Sequence, residues 1–176
     1  MKIYIKKLFN CATLPKIISK GDWIDLHSVE DVTFNHPVAF SRQRKTVNGV
    51  TTSTRKVCFD SKKVHLGIAM KLPDGFEAIL APRSSTFSKY NVMQTNSIGV
   101  IDNTYCGNGD EWMVNMIAFD SSEIHKGDRI CQFRIQLSQN ATIWQKIKWF
   151  FTNKIELVEV DTLSETNRGG FGSTGK

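Results

Sequence analysis

The spacing of the apolar residues constrains this chain most. In several short runs they alternate with polar residues, and each run is bounded by turn residues, the pattern of half-buried strands. Residues 130–137 put Cys131, Phe133, Ile135 and Leu137 on one face and Gln132 with Arg134 on the other. Residues 112–119 are apolar on both faces, as in a strand covered on both sides. Residues 66–72, the turn Pro73-Asp74-Gly75 and residues 76–80 predict a hairpin. Many short strands with glycine-containing turns favour an all-β sandwich or jelly roll over a parallel α/β sheet.

Two segments break the pattern. Residues 30–63 are rich in Ser, Thr, Asn and basic residues, among them Arg42, Arg44, Lys45, Arg55 and Lys56, and are expected to be an exposed hairpin or long loop. In residues 140–152, Ile143, Trp144, Ile147, Phe150 and Phe151 follow helical spacing after an Asn140 cap. An amphipathic helix packed on its own core is the expectation, and a partner or subunit contact is the alternative.

The 176 residues fit one domain, 1–176. No stretch approaches the roughly 18–20 apolar residues of a membrane span, and the charged start, Met1-Lys2-Ile3-Tyr4-Ile5-Lys6-Lys7, lacks the apolar run of a signal peptide. The expected location is cytoplasmic, with no membrane partner. Cys11, Cys58, Cys106 and Cys131 form no C-x-x-C pair and are expected to be buried free thiols. His27, His36, His65 and His125 are too scattered to suggest a transition-metal site. The net charge of +6 suits a nucleic acid or a small polyanion such as a nucleotide.

Chemistry concentrates where polar groups follow an apolar strand, at Pro82-Arg83-Ser84-Ser85 and then at residues 96–107. Arg83 offers a planar fork of charged donors and the serines add hydroxyls, a set suited to phosphate oxygens. In Arg168-Gly169-Gly170-Phe171-Gly172-Ser173-Thr174-Gly175 the glycines let backbone N–H groups approach a ligand, and the tail carries an aromatic ring, an arginine and two hydroxyls. Together with Gly99-Val100-Ile101-Asp102-Asn103-Thr104-Tyr105 and Lys126-Gly127-Asp128-Arg129-Ile130-Cys131-Gln132, these segments resemble the ordered motifs of the trimeric dUTPase family. A weaker first motif, Asp22-Trp23-Ile24-Asp25-Leu26, keeps the family's Asp-Leu pair. The insertion Asn108-Gly109-Asp110 departs from the tighter family pattern.

The resemblance implies a jelly-roll (β-clip) subunit in a homotrimer with shared active sites. The tail of residues 165–176 would arrive from a third chain. The reaction implied is hydrolysis of dUTP to dUMP and pyrophosphate, which keeps uracil out of DNA and supplies dUMP for dTMP synthesis. Asp102 would be the general base that activates water for attack on the α-phosphorus. Tyr105 would lie beneath the deoxyribose. Asn96 and the backbone of Gly99, Val100 and Ile101 would read uracil, and Met113 would be a further substrate-binding residue. Arg83, Ser84 and Ser85 would hold phosphates and Gln132 would approach the α-phosphate. Arg168, Ser173 and Thr174 would close on the γ-phosphate while Phe171 stacks over the base, and Gly172 would be a further substrate-binding residue. Mg²⁺ would be chelated mainly by the triphosphate, with Asp25 at most an outer-shell partner. A dCTP deaminase shares the implied fold but does not normally carry such a tail. A nucleotide sensor using the two atypical segments on a protein partner is a second alternative. Stable nucleic-acid binding is not expected.

Overall fold

The computed structural model describes residues 1–152, 154–163 and 166–170, leaving aside the side chains of residues 40–43 and 55. In chain order the elements are β1 (Lys2–Lys7), β2 (Ile24–His27), β3 (Val32–Phe34), β4 (Val38–Val47), β5 (Val50–Cys58), β6 (Ser61–His65), β7 (Ile68–Lys71), β8 (Phe76–Pro82), α1 (Thr86–Tyr90), β9 (Val92–Gln94), β10 (Gly99–Asp102), β11 (Met113–Ala118), β12 (Ser122–Ile124), β13 (Arg129–Leu137), α2 (Ile143–Phe151) and β14 (Glu156–Glu159). The all-β expectation holds.

The alternation read in the sequence becomes pairing around β8 and β13. One antiparallel sheet has the order β10-β8-β13-β2. In a second, β1 lies between β14 and β7, and in a third β11 lies between β6 and β9. Their inward residues share one apolar core that includes Ile3, Ile5, Met70, Leu80, Met116 and Phe133. Trp112 meets Phe133 edge to face with centroids 5.3 Å apart. Each large side chain taken from water stabilises the fold by about 1.5–3 kcal/mol, which is what fixes the strand faces.

Several expectations need correction. Residues 66–80 are not a hairpin: β7 pairs with β1, whereas β8 pairs with β10 and β13. Ile68, Ala69 and Met70 are all buried, so β7 takes an interior place and the turn at residues 73–75 passes the chain to the other sheet. Turn chemistry marks a reversal without choosing the neighbour. In β11 only Val114, Met116 and Ala118 are buried; Met113, Asn115 and Ile117 on the opposite face are half-buried. On β13 the alternation is as read, with Gln132 half-buried and Arg134 exposed.

Within residues 30–63, β4 and β5 form a two-stranded ribbon that, among the described residues, pairs with no other strand. Asn48 and Gly49, with φ of 50° and 78°, supply the two positive angles of a tight hairpin turn. The ends of the segment belong to the body, since β3 pairs with β12 and β6 with β11.

The cap of α2 is Thr142 rather than Asn140, in a capping box with Gln145. No residue of α2 is buried. Trp149 packs on Phe76 at 5.2 Å, but Trp144, Phe150 and Phe151 are each more than three-quarters exposed. The helix is therefore not seated on its own core by its apolar face. Spacing reveals such a face but not its direction. Of the four free cysteines, Cys106 and Cys131 are buried as expected, Cys58 is half-buried and Cys11 exposed. Among the described residues no helix is long and apolar enough to cross a membrane.

Candidate active site

β10 pairs with β8 so that Gly99 faces Leu80 and Asp102 faces Glu77. Beyond β10 the Asp102 carboxylate accepts the Thr104 N–H at 2.9 Å and the Thr104 hydroxyl, a local turn that suits Asp. The turn leads to Tyr105, whose hydroxyl donates to the Glu111 carbonyl at 2.8 Å. Between this turn, β9, β10 and β11 opens a cleft of about 290 Å³. It is lined by Asn96, Gly99, Val100, Ile101, Asp102, Tyr105, Met113 and Arg168, so the base, sugar and tail residues expected from the sequence converge.

Arg168 donates to the Asp102 carboxylate. Partial burial pushes the Asp102 carboxyl up, but hydrogen bonds from Thr104 and Arg168 outweigh it and hold the group below its ordinary value. The carboxylate is thus ionised at neutral pH. Burial, with Asp110 and Glu111 nearby, raises the Tyr105 phenol, which stays neutral. Gly170 lies over the Tyr105 ring, where an added Cβ would sit 3.0 Å from a ring carbon. Residues 166–170 therefore lie against the cleft within this one chain. Phe171, Gly172, Ser173 and Thr174 fall outside the described residues.

A second cluster forms beyond the end of β8, away from this cleft. Arg83 Nε donates to Asp25 at 2.7 Å, and Arg129 reaches the other Asp25 oxygen at 3.2 Å. Gln132 donates to the Pro82 carbonyl at 3.2 Å, while Ser84 and Ser85 are exposed. The register separates Asp102 from Arg83: Asp102 lies opposite Glu77, and Arg83 follows six residues later, just past the end of β8. At about 3.3 Å per residue that is about 20 Å. One chain brings Asp102, Asn96, Tyr105, Met113 and Arg168 together, and separately Arg83, Ser84, Ser85, Gln132 and Asp25.

Other lining residues carry no signal in the sequence motifs. Gln94, Trp112 and Asn115 line the cleft, and Gln94 Oε1, Trp112 Nε1 and Asn115 Oδ1 are buried with no hydrogen-bond partner among the described residues. Such atoms call for a ligand or water. The one available signal was the placing of Gln94 and Asn115 within otherwise apolar strand segments. Thr86 is 1% exposed; it receives the Arg83 N–H and bonds the Ile130 carbonyl, pinning the Arg83 loop.

A carboxylate, an amide edge, an aromatic ring and an arginine in one cleft, with an Arg-Ser-Ser loop past the end of β8, have the chemistry a nucleotide site requires, on an all-β scaffold. The dUTPase family model matches residues 51–175. The SPbeta prophage-derived deoxyuridine 5'-triphosphate nucleotidohydrolase YosS of Bacillus subtilis is 39% identical over 175 residues, 99% of each chain. The deoxyuridine 5'-triphosphate nucleotidohydrolase of Hydrogenobaculum sp. is 35% identical over 180 residues, again 99% of each. The chain belongs to the dUTPase family. Its fold resembles the crystal structure of dUTPase from Streptococcus mutans, with a TM-score of 0.59 and 19% identity over 77% of this chain and 97% of that one. It also resembles the dUTPase from phage phi11 of S. aureus, with a TM-score of 0.60 and 15% identity over 80% of this chain and 93% of that one.

Proposed function

We propose that this chain hydrolyses dUTP to dUMP and pyrophosphate, with Asp102 as the general base. The observation that carries the reading is the convergence of Asp102, Asn96, Tyr105 and Arg168 on one cleft in a chain of this family. Asp102, ionised at neutral pH, orients a water and takes its proton as the water oxygen attacks the α-phosphorus. The bond from the α-phosphorus to the bridging oxygen then breaks and pyrophosphate leaves. Asn96 and the β10 backbone hydrogen-bond the uracil edge, and Met113 closes the base site. The unpartnered atoms of Gln94, Trp112 and Asn115 offer further donors and acceptors, directly or through water. The Tyr105 ring takes the space a ribose 2′-hydroxyl would need.

The separation of about 20 Å along β8 supports a shared site, in which Arg83, Ser84, Ser85 and Gln132 of one copy face the Asp102 cleft of a neighbour in a homotrimer. Among the described residues no three His, Cys, Asp or Glu side chains gather in a metal-binding group, and the Asp25 oxygens are taken by Arg83 and Arg129. These residues do not make an inner shell for a cation. Mg²⁺ would come chelated by the triphosphate and water, with Asp25 in outer-shell reach at most. Phe171, Gly172, Ser173 and Thr174 would complete the lid over base and phosphates, and the enzyme would act in the cytoplasm.

The test is pyrophosphate release from dUTP, UTP, dTTP and dCTP by wild type and Asp102→Asn. Turnover of dUTP alone, reduced roughly 10²–10⁴-fold in the variant, is expected. Ammonia release from dCTP would point to the deaminase. Tight binding of a dUTP analogue by a folded protein with no turnover would point to a sensor.

A further inference from the structure

The segment Asn108-Gly109-Asp110 stands between the Tyr105 turn and β11, and in the fold it meets the C-terminal arm after β14. Asn108 Oδ1 accepts the Leu163 N–H at 2.9 Å, the Thr162 hydroxyl at 3.0 Å and the Lys6 ammonium at 3.1 Å. Gly109 N–H donates to Asn167 Oδ1 at 2.6 Å. Asp110 is 1% exposed; one oxygen accepts Gly107 N–H at 2.8 Å and Arg168 N–H at 2.9 Å, the other Gly169 N–H at 3.0 Å. Leu163 is buried beside this network.

The chemistry explains the residue types. A carboxylate presents two acceptor oxygens to three backbone donors, whereas an amide would turn an NH₂ group toward one of them. Gly107 passes so close to the Asn167 backbone that no Cβ fits between them. The network holds the arm at both ends of the stretch that delivers Arg168 to Asp102 and Gly170 to Tyr105.

We propose that Asp110, with Asn108, is a positioning residue for the reaction: this loop locks the root of the arm so that Arg168 reaches the cleft already ordered. The proposal rests on the activity assigned above. Fixing the root in advance removes part of the ordering entropy that an untethered arm would lose on each closure over substrate.

The experiment compares Asp110→Asn in the full chain and in a chain ending at Leu163, with melting temperatures verifying that each is folded. In the full chain kcat/KM for dUTP is expected to fall roughly tenfold, the loss of about one charge-assisted hydrogen bond. In the shortened chain the same substitution is expected to change it less than about twofold, because the loop has nothing left to hold. Gly107→Ala, which wedges the seam without touching charge, is expected to follow the same pattern. Equal losses with and without the arm, or no loss in the full chain, overturn the proposal. Trypsin cleavage after Arg168 tests it without substrate. About tenfold faster nicking in Asp110→Asn supports the lock even if dUTP is not turned over, and unchanged nicking refutes it.

Discussion

Thr86→Val tests how the phosphate-type loop is held. Strand β13 is irregular between Arg129 and Cys131, which leaves Ile130 out of the ladder. Its carbonyl accepts the Thr86 hydroxyl at 2.9 Å, and the Thr86 hydroxyl oxygen in turn accepts the Arg83 N–H at 3.0 Å. Valine has nearly the shape of threonine, so no cavity forms, but both backbone groups lose a partner. A buried group left unsatisfied costs about 1–3 kcal/mol. The buried Ile130 carbonyl takes the full cost and the half-buried Arg83 N–H less, giving about 2–3 kcal/mol in all. With a urea slope of about 2 kcal/mol/M, the midpoint should fall by about 1–1.5 M. Wild type and variant are compared at one protein concentration, since subunit association adds to apparent stability. The KM for dUTP should rise with the loss of order at Arg83, and Thr86→Ser should restore both values. A valine variant within about 0.5 kcal/mol of wild type, or a serine variant as damaged as valine, would refute the reasoning.

Two further outcomes are expected. The Asp102 carboxyl lies below its ordinary value because of its hydrogen bonds, so their stabilisation is present above the unfolded value and is lost as pH falls through the folded one. Thr104→Val removes one of those bonds and should move the acid limb of kcat/KM to higher pH, while Thr104→Ser leaves it in place; an unmoved limb in the valine variant would mean that Thr104 does not tune the base. Replacing residues 41–55 of the ribbon with a short Asn-Gly turn should leave kcat within about twofold, because among the described residues β4 and β5 pair with no other strand and line no part of the cleft. A tenfold loss would make the ribbon part of the site.

Much of this protein was legible in the order of its residues. Alternation over residues 130–137 determined the buried and open faces of β13, and the polar, basic composition of residues 30–63 marked the exposed ribbon. Asn96, Gly99 to Asp102 and Tyr105 reach one cleft because strand and turn place them locally, within a span in which sequence neighbours stay spatial neighbours. Pairing was not legible. Whether β7 joins β8 or β1 depends on which alternative buries more apolar surface across the whole core, a sum no local window contains. The same holds for α2, whose apolar stripe is plain in sequence although its direction is set by the one side chain, Trp149, that finds Phe76. The roles of Thr86 and Asp110 were equally hidden. Their partners lie 44 and up to 59 residues away, and only the tertiary fold brings a backbone N–H or carbonyl to a side chain across that distance.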